Sequence, residues 1–227
     1  MKRFYIIILA ITFILVSIFA YNKIRVNENI ASAHSIQSKY TVIIDAGHGG
    51  KDAGTIGIDG TEEKGINLQI ALVLYDFLRV SGINAQLIRD GDFEFYPEGT
   101  DTSRSDLYNR LDFVNSVPDS LLISIHQNHF ENESEWGTQI WYSANNSESK
   151  ALADGVLSNI KQFLQPENKR ENKESDSSYY LLYKATVPSI MIECGFMSNN
   201  RENEKLKTPE YQNDFAFAVL TGICTEV

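Results

Sequence analysis

The sequence contains few cysteines and few prolines for its length. Only Cys194 and Cys224 occur among 227 residues, whereas a fold held together by disulfides needs several cysteine pairs. That class of small secreted scaffold is therefore excluded, and one bridge or two free thiols fit equally well. Cys194 has no histidine beside it in the sequence that would activate its thiol, which disfavours a cysteine hydrolase.

Basic residues are scarce relative to acidic ones. The chain has 20 Lys and Arg against 30 Asp and Glu, for a net charge of -10. Such a charge repels the phosphates of nucleic acid, so nucleic acid is not an expected partner. The glycine-rich segments also lack the lysine spacing of a phosphate-binding loop. The excess acidity favours solubility and identifies no substrate.

One long apolar run is present, and it stands at the N-terminus. It extends from Phe4 to Tyr21 and is preceded by Lys2 and Arg3. This layout is typical of an export signal or a membrane anchor. We therefore predict that residues 1–21 form a signal peptide or anchor and that the rest of the protein lies outside the cytoplasm, secreted or membrane-anchored.

The segment after this run is polar and shows no apolar period. We predict that residues 22–39 form a tether and that one catalytic domain spans residues 40–227, because this length suits a single core. Only the N-terminal segment would then contact a membrane.

Within the domain, short β-branched runs alternate with stretches of helical periodicity. This alternation predicts a single α/β domain with a mostly parallel, twisted sheet flanked by helices. The charged stretches 90–103 and 165–178 are predicted to be loops. The predicted strands are 40–45, 85–89, 121–126 and 189–193, and the predicted helix faces are Leu68, Leu72, Tyr75 and Leu78; Leu107, Leu111 and Val114; Leu152, Val156, Ile160 and Phe163; and Phe215, Ala218, Val219 and Gly222.

Three polar clusters follow predicted strands. Because the carboxyl ends of parallel strands meet at one edge of an open sheet, their side chains are expected to converge in one crevice. The clusters are Asp45-Ala46-Gly47-His48-Gly49-Gly50, Ser124-Ile125-His126-Gln127-Asn128-His129 and Glu193-Cys194-Gly195-Phe196.

Two histidines and a carboxylate would suit a catalytic zinc ion, which keeps one position open for water. Of the four histidines, His34 lies in the predicted tether, which leaves His48, His126 and His129. On an extended strand, residues three apart face opposite ways, so only one of His126 and His129 is expected to join His48. These residues alone fit a metal pair and a purely structural glycine-rich turn equally well.

Four motifs together resemble those of the zinc-dependent N-acetylmuramoyl-L-alanine amidases. The resemblance extends over about residues 40–227 and implies a zinc hydrolase fold acting on peptidoglycan. An N-terminal signal without wall-binding repeats makes the chain most similar to sporulation members that act on spore cortex. The motifs are Asp45-Ala46-Gly47-His48-Gly49-Gly50, Glu62-Glu63-Lys64 leading into Asn67-Leu68, Ser124-Ile125-His126-Gln127-Asn128, and Ile192-Glu193-Cys194-Gly195-Phe196-Met197-Ser198-Asn199.

The resemblance assigns roles to individual residues. His48, Glu63 and His126 would be the ligands of one Zn²⁺ ion, and Glu193 would be the catalytic carboxylate. Glu62 is the nearest rival for the carboxylate ligand, but the family's ligand directly precedes the lysine.

Other positions carry weaker assignments or depart from the family. Asn128 and Arg110 are expected to contact substrate or to support the ligands, and buried structural hydrogen bonding is an equal alternative. Gln127 and His129 replace smaller residues, and Cys194 replaces an aliphatic or hydroxyl residue. Each of the three is a candidate to crowd the cleft or weaken metal retention.

The implied reaction is hydrolysis of the amide between N-acetylmuramic acid and L-alanine in spore-cortex maturation. A zinc carboxypeptidase that trims stem peptides and a non-catalytic wall-binding protein are the alternatives. Because no wall-binding module is visible in the sequence, an accessory envelope protein is expected to recruit or activate the domain.

Overall fold

A computed structural model describes residues 39–97 and 105–225 of the chain. The predicted signal or anchor (1–21) and all of the predicted tether (22–39) except Lys39 lie outside these residues. Within them, no helix is both long enough and apolar enough to span a membrane.

The centre of the domain is a six-stranded sheet in the order β2-β1-β3-β6-β4-β5. Strands β2, β1, β3 and β6 pair in parallel, and only the β4–β6 pair is antiparallel. The predicted α/β fold with a mostly parallel sheet is therefore confirmed. The strands are β1 (Thr41–Ala46), β2 (Ala85–Leu87), β3 (Ser120–Asn128), β4 (Gln139–Tyr142), β5 (Lys173–Glu174) and β6 (Ser189–Phe196).

Helices cover both faces of the sheet. Two apolar clusters divide alternate residues of each central strand, so that Ile44 packs on one face and Ile43 on the other. Helices α1, α3 and α6 cover the first face, and α2 and α4 cover the second. The helices are α1 (Glu63–Val80), α2 (Asp106–Ser116), α3 (Glu148–Phe163), α4 (Tyr180–Lys184), α5 (Asn200–Leu206) and α6 (Pro209–Cys224).

The predicted face of α1 is rotated from the buried one. Leu68, Leu72 and Tyr75 are only half-buried, because a neighbouring apolar stripe faces the sheet instead. Both stripes are apolar because Leu72 and Tyr75 lie beside β2 at the edge of the sheet, so periodicity could not separate them. The buried stripe comprises Ile66, Ile70, Leu74 and Leu78.

Four short elements, β4, β5, α4 and α5, were not predicted. The stretch 165–178, expected to be a solvated loop, contains β5 and the buried side chains of Gln165 and Asn168. Gln165 Oε1 accepts a hydrogen bond from the Thr138 main-chain N–H at 2.9 Å. Polar residues therefore tie this stretch to the domain, which a hydrophobic pattern does not reveal.

The register of the parallel strands brings the predicted clusters to one edge. Asp45 of β1 pairs with Ser124 of β3, and His126 of β3 pairs with Glu193 of β6. A bulge follows His126, where the β3–β6 register shifts before Asn128. The carboxyl ends of β1, β3 and β6 thus form the floor of a cleft.

Candidate active site

His48 lies in a glycine-rich loop directly after β1. Its φ of 62° is in the left-handed region, which a non-glycine residue occupies at an energetic cost. The Nδ1 atom of His48 donates to Asp52 Oδ2 at 2.7 Å. This contact turns Nε2 toward Glu63, whose Oε2 lies 3.3 Å away.

Glu63 is the first residue of α1 and is buried, whereas the preceding Glu62 is exposed. Glu62 instead forms an ion pair with Lys64 at 3.3 Å. The structure therefore places Glu63, and not its rival, beside the histidines.

The Glu63 carboxylate is held by several hydrogen-bond donors. Its Oε2 accepts from the Thr55 N–H at 2.8 Å, and its Oε1 accepts from the Gln127 N–H at 2.9 Å and from Asn67 Nδ2 at 3.1 Å. Burial opposes ionisation, but hydrogen bonds and charge from the two histidines outweigh it and hold the Glu63 pKa well below its usual range.

His126 stands near the end of β3, with Nδ1 3.1 Å from Glu63 Oε1. The opposite edge of its ring lies against Gly47, where an added Cβ would come within 2.2 Å of His126 Nε2. The His48 and His126 rings are 4.8 Å apart between centroids. One donor atom each from His48, Glu63 and His126 thus lies within 4.8 Å of the others.

Glu193 lines the same cleft from β6 and is half-buried, with its Oε2 atom shielded from solvent. Its Oε2 has no hydrogen-bond partner within the described part of the chain. Burial raises the pKa of Glu193 to about 7, although the nearby His126 charge opposes the shift. A carboxyl with this pKa can both accept and return a proton near neutral pH.

The cleft has a volume of about 530 Å³. Besides the histidine–glutamate group, Tyr179, Tyr180 and Leu107 line it. The Tyr179 ring packs on Trp141 at 4.5 Å between centroids, which holds the tyrosine in place.

Arg110 is buried beneath the His48 loop. Its guanidinium donates to Asp45 Oδ1 at 2.7 Å, to the Ala46 carbonyl at 3.0 Å and to the His48 carbonyl at 2.7 Å. A further bond, from Nε to Asp106, occupies another donor. These contacts support the loop that carries His48.

Asn128, His129 and Gln127 all line the cleft, but they differ in orientation and contacts. The Asn128 side-chain oxygen accepts from the His129 N–H at 2.8 Å. His129 is exposed and lies outside the His48–Glu63–His126 group. Gln127 Nε2 donates to Asn67 Oδ1 at 3.1 Å, so it braces a residue that holds Glu63.

Cys194 and Cys224 are both free thiols. Cys194 is fully buried in the core under α1, α3 and α6, and burial raises its pKa well above the ordinary value. A thiol in this environment is a poor nucleophile.

Three residues near the site carried no motif signal. Asp52 orients His48, Arg89 binds the same loop, and Tyr179 lines the cleft. The only sequence feature that pointed to any of them is the spacing of four residues between His48 and Asp52. Arg89 and Tyr179 reach the site through the fold, so their places in the sequence give no sign of it.

One cleft of this α/β domain contains two imidazoles, a buried carboxylate that is a ligand candidate, and a second carboxyl group with a pKa of about 7. These are features of a metal-dependent hydrolase. Comparison with known families makes the class specific. The profile of the Amidase_3 family, described as N-acetylmuramoyl-L-alanine amidase, matches residues 42–225. The chain belongs to this family, which confirms the resemblance drawn from its motifs.

Individual relatives cover most of the chain. The germination-specific N-acetylmuramoyl-L-alanine amidase of Bacillus subtilis is 31% identical over 186 residues, which is 80% of this chain and 77% of the relative. Among solved structures, the CwlD amidase of Clostridioides difficile in complex with the GerS lipoprotein has a TM-score of 0.76 and 36% identity, covering 82% of this chain and 98% of that chain. The amidase AmiC2 of Nostoc punctiforme has a TM-score of 0.72 and 33% identity, with 83% and 97% covered.

Proposed function

We propose that this chain is a zinc-dependent amidase that hydrolyses the bond between N-acetylmuramic acid and L-alanine in peptidoglycan. The observation that carries the proposal is the His48–Glu63–His126 group in one cleft with Glu193, whose Oε2 atom is buried. Family membership supplies the substrate class.

The donor set fits zinc. Zinc in proteins takes imidazole nitrogens and carboxylate oxygens at about 2.0–2.1 Å in a tetrahedral arrangement, which puts neighbouring donors roughly 3.3 Å apart. Glu63 Oε2 lies 3.3 Å from His48 Nε2, and Glu63 Oε1 lies 3.1 Å from His126 Nδ1, so each imidazole nitrogen is at about this distance from one oxygen of the carboxylate. Three protein donors leave the fourth position for water or substrate.

When bound there, zinc would supply a Lewis acid for the amide carbonyl and lower the pKa of a water molecule. Glu193 is proposed to act as the general base and acid. Its unpartnered Oε2 accepts a proton from the attacking water and returns it to the departing amine of L-alanine. A pKa of about 7 suits both transfers.

Residues around the ligands maintain their protonation and orientation. Asp52 accepts the Nδ1 proton of His48, which leaves Nε2 for the metal. Arg110 and Asn128 are proposed to support the site, Arg110 through the His48 main chain and Asn128 through the cleft wall.

A zinc carboxypeptidase is the weaker alternative, because it needs a free cation to bind a terminal carboxylate. Arg110 is the only Lys or Arg among the described residues of the cleft lining, and Asp45, Asp106 and two carbonyls occupy it. Mass analysis of digested muropeptides separates the two. Intact stem peptides released from muramic acid support the amidase, whereas trimmed peptides on intact glycan refute it.

A non-catalytic wall-binding protein is the second alternative. It conflicts with retention of all four polar site residues, since wall binding alone needs neither a metal-ligand group nor a carboxyl poised near neutrality. A purified domain that binds wall fragments and no zinc would favour this alternative.

The proposed setting is spore-cortex maturation outside the cytoplasm, on the forespore side. It is supported by similarity to the germination-specific amidase of Bacillus subtilis and to CwlD. Residues 1–21 are proposed to export or anchor the chain, 22–39 to tether it, and 40–227 to form the catalytic domain. Because the CwlD structure is a complex with a lipoprotein, an accessory envelope lipoprotein is the proposed partner.

Deletion of the gene tests the setting. Spores that lack muramic lactam while vegetative wall is unchanged would support it, and unaltered cortex would refute it. Affinity purification of the full chain from sporulating cells tests the partner, and recovery of no envelope protein counts against it.

A further inference from the structure

Arg89, which follows β2, is a buried arginine outside the assigned site, with 1% of its surface exposed. Its Nε donates to the Ala46 carbonyl at 2.8 Å, and its Nη2 donates to the Gly47 carbonyl at 2.9 Å. The same Nη2 donates to the Lys64 carbonyl at 2.9 Å, and Nη1 donates to the Gly91 carbonyl at 2.9 Å. All four of these acceptors are main-chain oxygens.

Three of these acceptors belong to two separate segments that carry metal-ligand candidates. Ala46 and Gly47 immediately precede His48, and Lys64 immediately follows Glu63. One planar guanidinium therefore ties the His48 loop to the first turn of α1. A lysine cannot replace it, because a single ammonium nitrogen does not present donors in these fixed, separated directions.

The loop that Arg89 holds needs such support. His48 has a φ of 62°, and a non-glycine residue stays in this region only where its surroundings enforce it. Gly49, with a φ of 135°, packs closely on this region, since an added Cβ would lie 2.6 Å from the Phe93 carbonyl oxygen and 3.0 Å from Arg89 Cδ and Nε. The Arg89 side chain and the loop therefore pack closely against each other.

We propose that Arg89 is a positioning residue of the metal centre, which holds His48 and Glu63 in their binding arrangement before a metal ion enters. The inference rests on the proposed function for the identity of the metal. The main-chain clamp itself is a property of the metal-free protein.

The test compares wild type with Arg89→Lys, which keeps the charge. The expected result is a zinc dissociation constant about 10- to 100-fold higher, the range found when groups that orient metal ligands are removed. In the metal-free variant, amide hydrogens of residues 47–50 and 63–65 should exchange at least about tenfold faster.

Ile160→Ala is the matched control, because Ile160 is a fully buried residue of α3 in the core rather than at the cleft. It lowers thermal stability without touching the loop. If Arg89→Lys and Ile160→Ala show equal zinc affinity and equal loop exchange at matched stability, Arg89 is merely structural and the inference is overturned.

Two further results keep the inference separate from the proposed function. If wild type binds no zinc, the proposed function fails. Faster loop exchange in Arg89→Lys would still show that Arg89 holds the His48 loop to the first turn of α1. If Arg89→Lys does not fold, native-state hydrogen exchange of the metal-free wild type tests whether these two segments are held together. Residues 47–50 and 63–65 should then open together with the same denaturant dependence, and independent opening would overturn the clamp.

Discussion

Asp52 Oδ2 lies 2.7 Å from Nδ1 of His48, and Nε2 of the same ring points at Glu63. A carboxylate behind a ligating histidine fixes its tautomer and increases its basicity. Asp52 therefore belongs to the proposed zinc centre, although two-thirds of its side chain is in solvent.

Replacing Asp52 with Asn should weaken zinc binding about 10- to 100-fold while leaving the fold intact. The amide can still hydrogen-bond the ring, but it loses the charge that favours a proton on Nδ1. Competition titration with a chelator measures the change. Asp154→Asn is the control, because Asp154 forms a solvent-exposed ion pair with Lys150 on α3. Equal zinc affinity in the two variants would show that Asp52 does not contribute to the zinc centre.

Gly47→Ala should abolish zinc binding, because its Cβ would stand 2.2 Å from His126 Nε2 and force the ring away. We expect at least about a hundredfold loss of zinc affinity, since one of three ligands is displaced. Zinc counted by mass spectrometry after dialysis checks this.

Gly65→Ala is the matched control for that substitution. A Cβ at Gly65 would have nothing within 4 Å, and alanine in place of glycine within a helix is stabilising by about 0.5–1 kcal/mol. This variant should keep its zinc. A Gly47→Ala protein with one bound zinc per chain would contradict the packing described for His126.

The histidine–glutamate group also predicts proton release. Burial lowers the pKa of His48, but Glu63 and then Asp52 outweigh it and raise the pKa to about 9 in the metal-free protein. At pH 7.5 His48 is thus protonated and must lose its proton to bind zinc. Calorimetry in two buffers of different protonation enthalpy should report about one proton released, with affinity falling about tenfold per pH unit below 9. Proton-independent binding would refute this.

Glu193→Gln should stabilise the metal-free protein at neutral pH. The pKa of Glu193 is raised from 4.5 to about 7, so between these values the folded state holds a proton that the unfolded state has lost. Stability from this group is therefore present below pH 4.5 and is lost as pH rises through 7.

Glutamine has no charge to bury, so the advantage of the variant should grow over this pH window to about 3 kcal/mol. Urea unfolding at pH 4.5, 6 and 8, with chelator present, measures it. Because the charge of Glu193 is coupled to His126, Glu63 and His48, the measured difference includes their response to its removal. An advantage that does not change with pH would mean that Glu193 is not desolvated as described.

Much of this fold follows from local pattern. Strands β1, β2, β3 and β6 coincide with predicted apolar runs, and the parallel pairing of β1, β3 and β6 places the three polar clusters together. Strand β5 escaped prediction because it consists of two exposed charged residues, which carry no readable period. Strand β4 was missed although it is longer than β2, because the polar side chain of Gln139 is buried at its start and breaks the apolar pattern.

The site also contains residues that the sequence predicts and residues that it does not. His48 follows β1 and His126 lies near the end of β3, so the two could be grouped from sequence, whereas the choice of Glu63 over Glu62 needed the family motif. In the structure the choice reflects helix geometry, since Glu63 begins α1 and turns inward. Arg89 and Asp52 act through main-chain and ring contacts that depend on loop conformation, which residue order does not encode.

The most direct test of the account measures zinc content and muropeptide cleavage together in wild type and Glu193→Gln. We expect one zinc per chain in both proteins, release of intact stem peptides by wild type, and a loss of cleavage rate of at least about a thousandfold in the variant. Cleavage by Glu193→Gln at the wild-type rate, or zinc-loaded wild type that leaves the muramic acid–L-alanine bond intact, would contradict it.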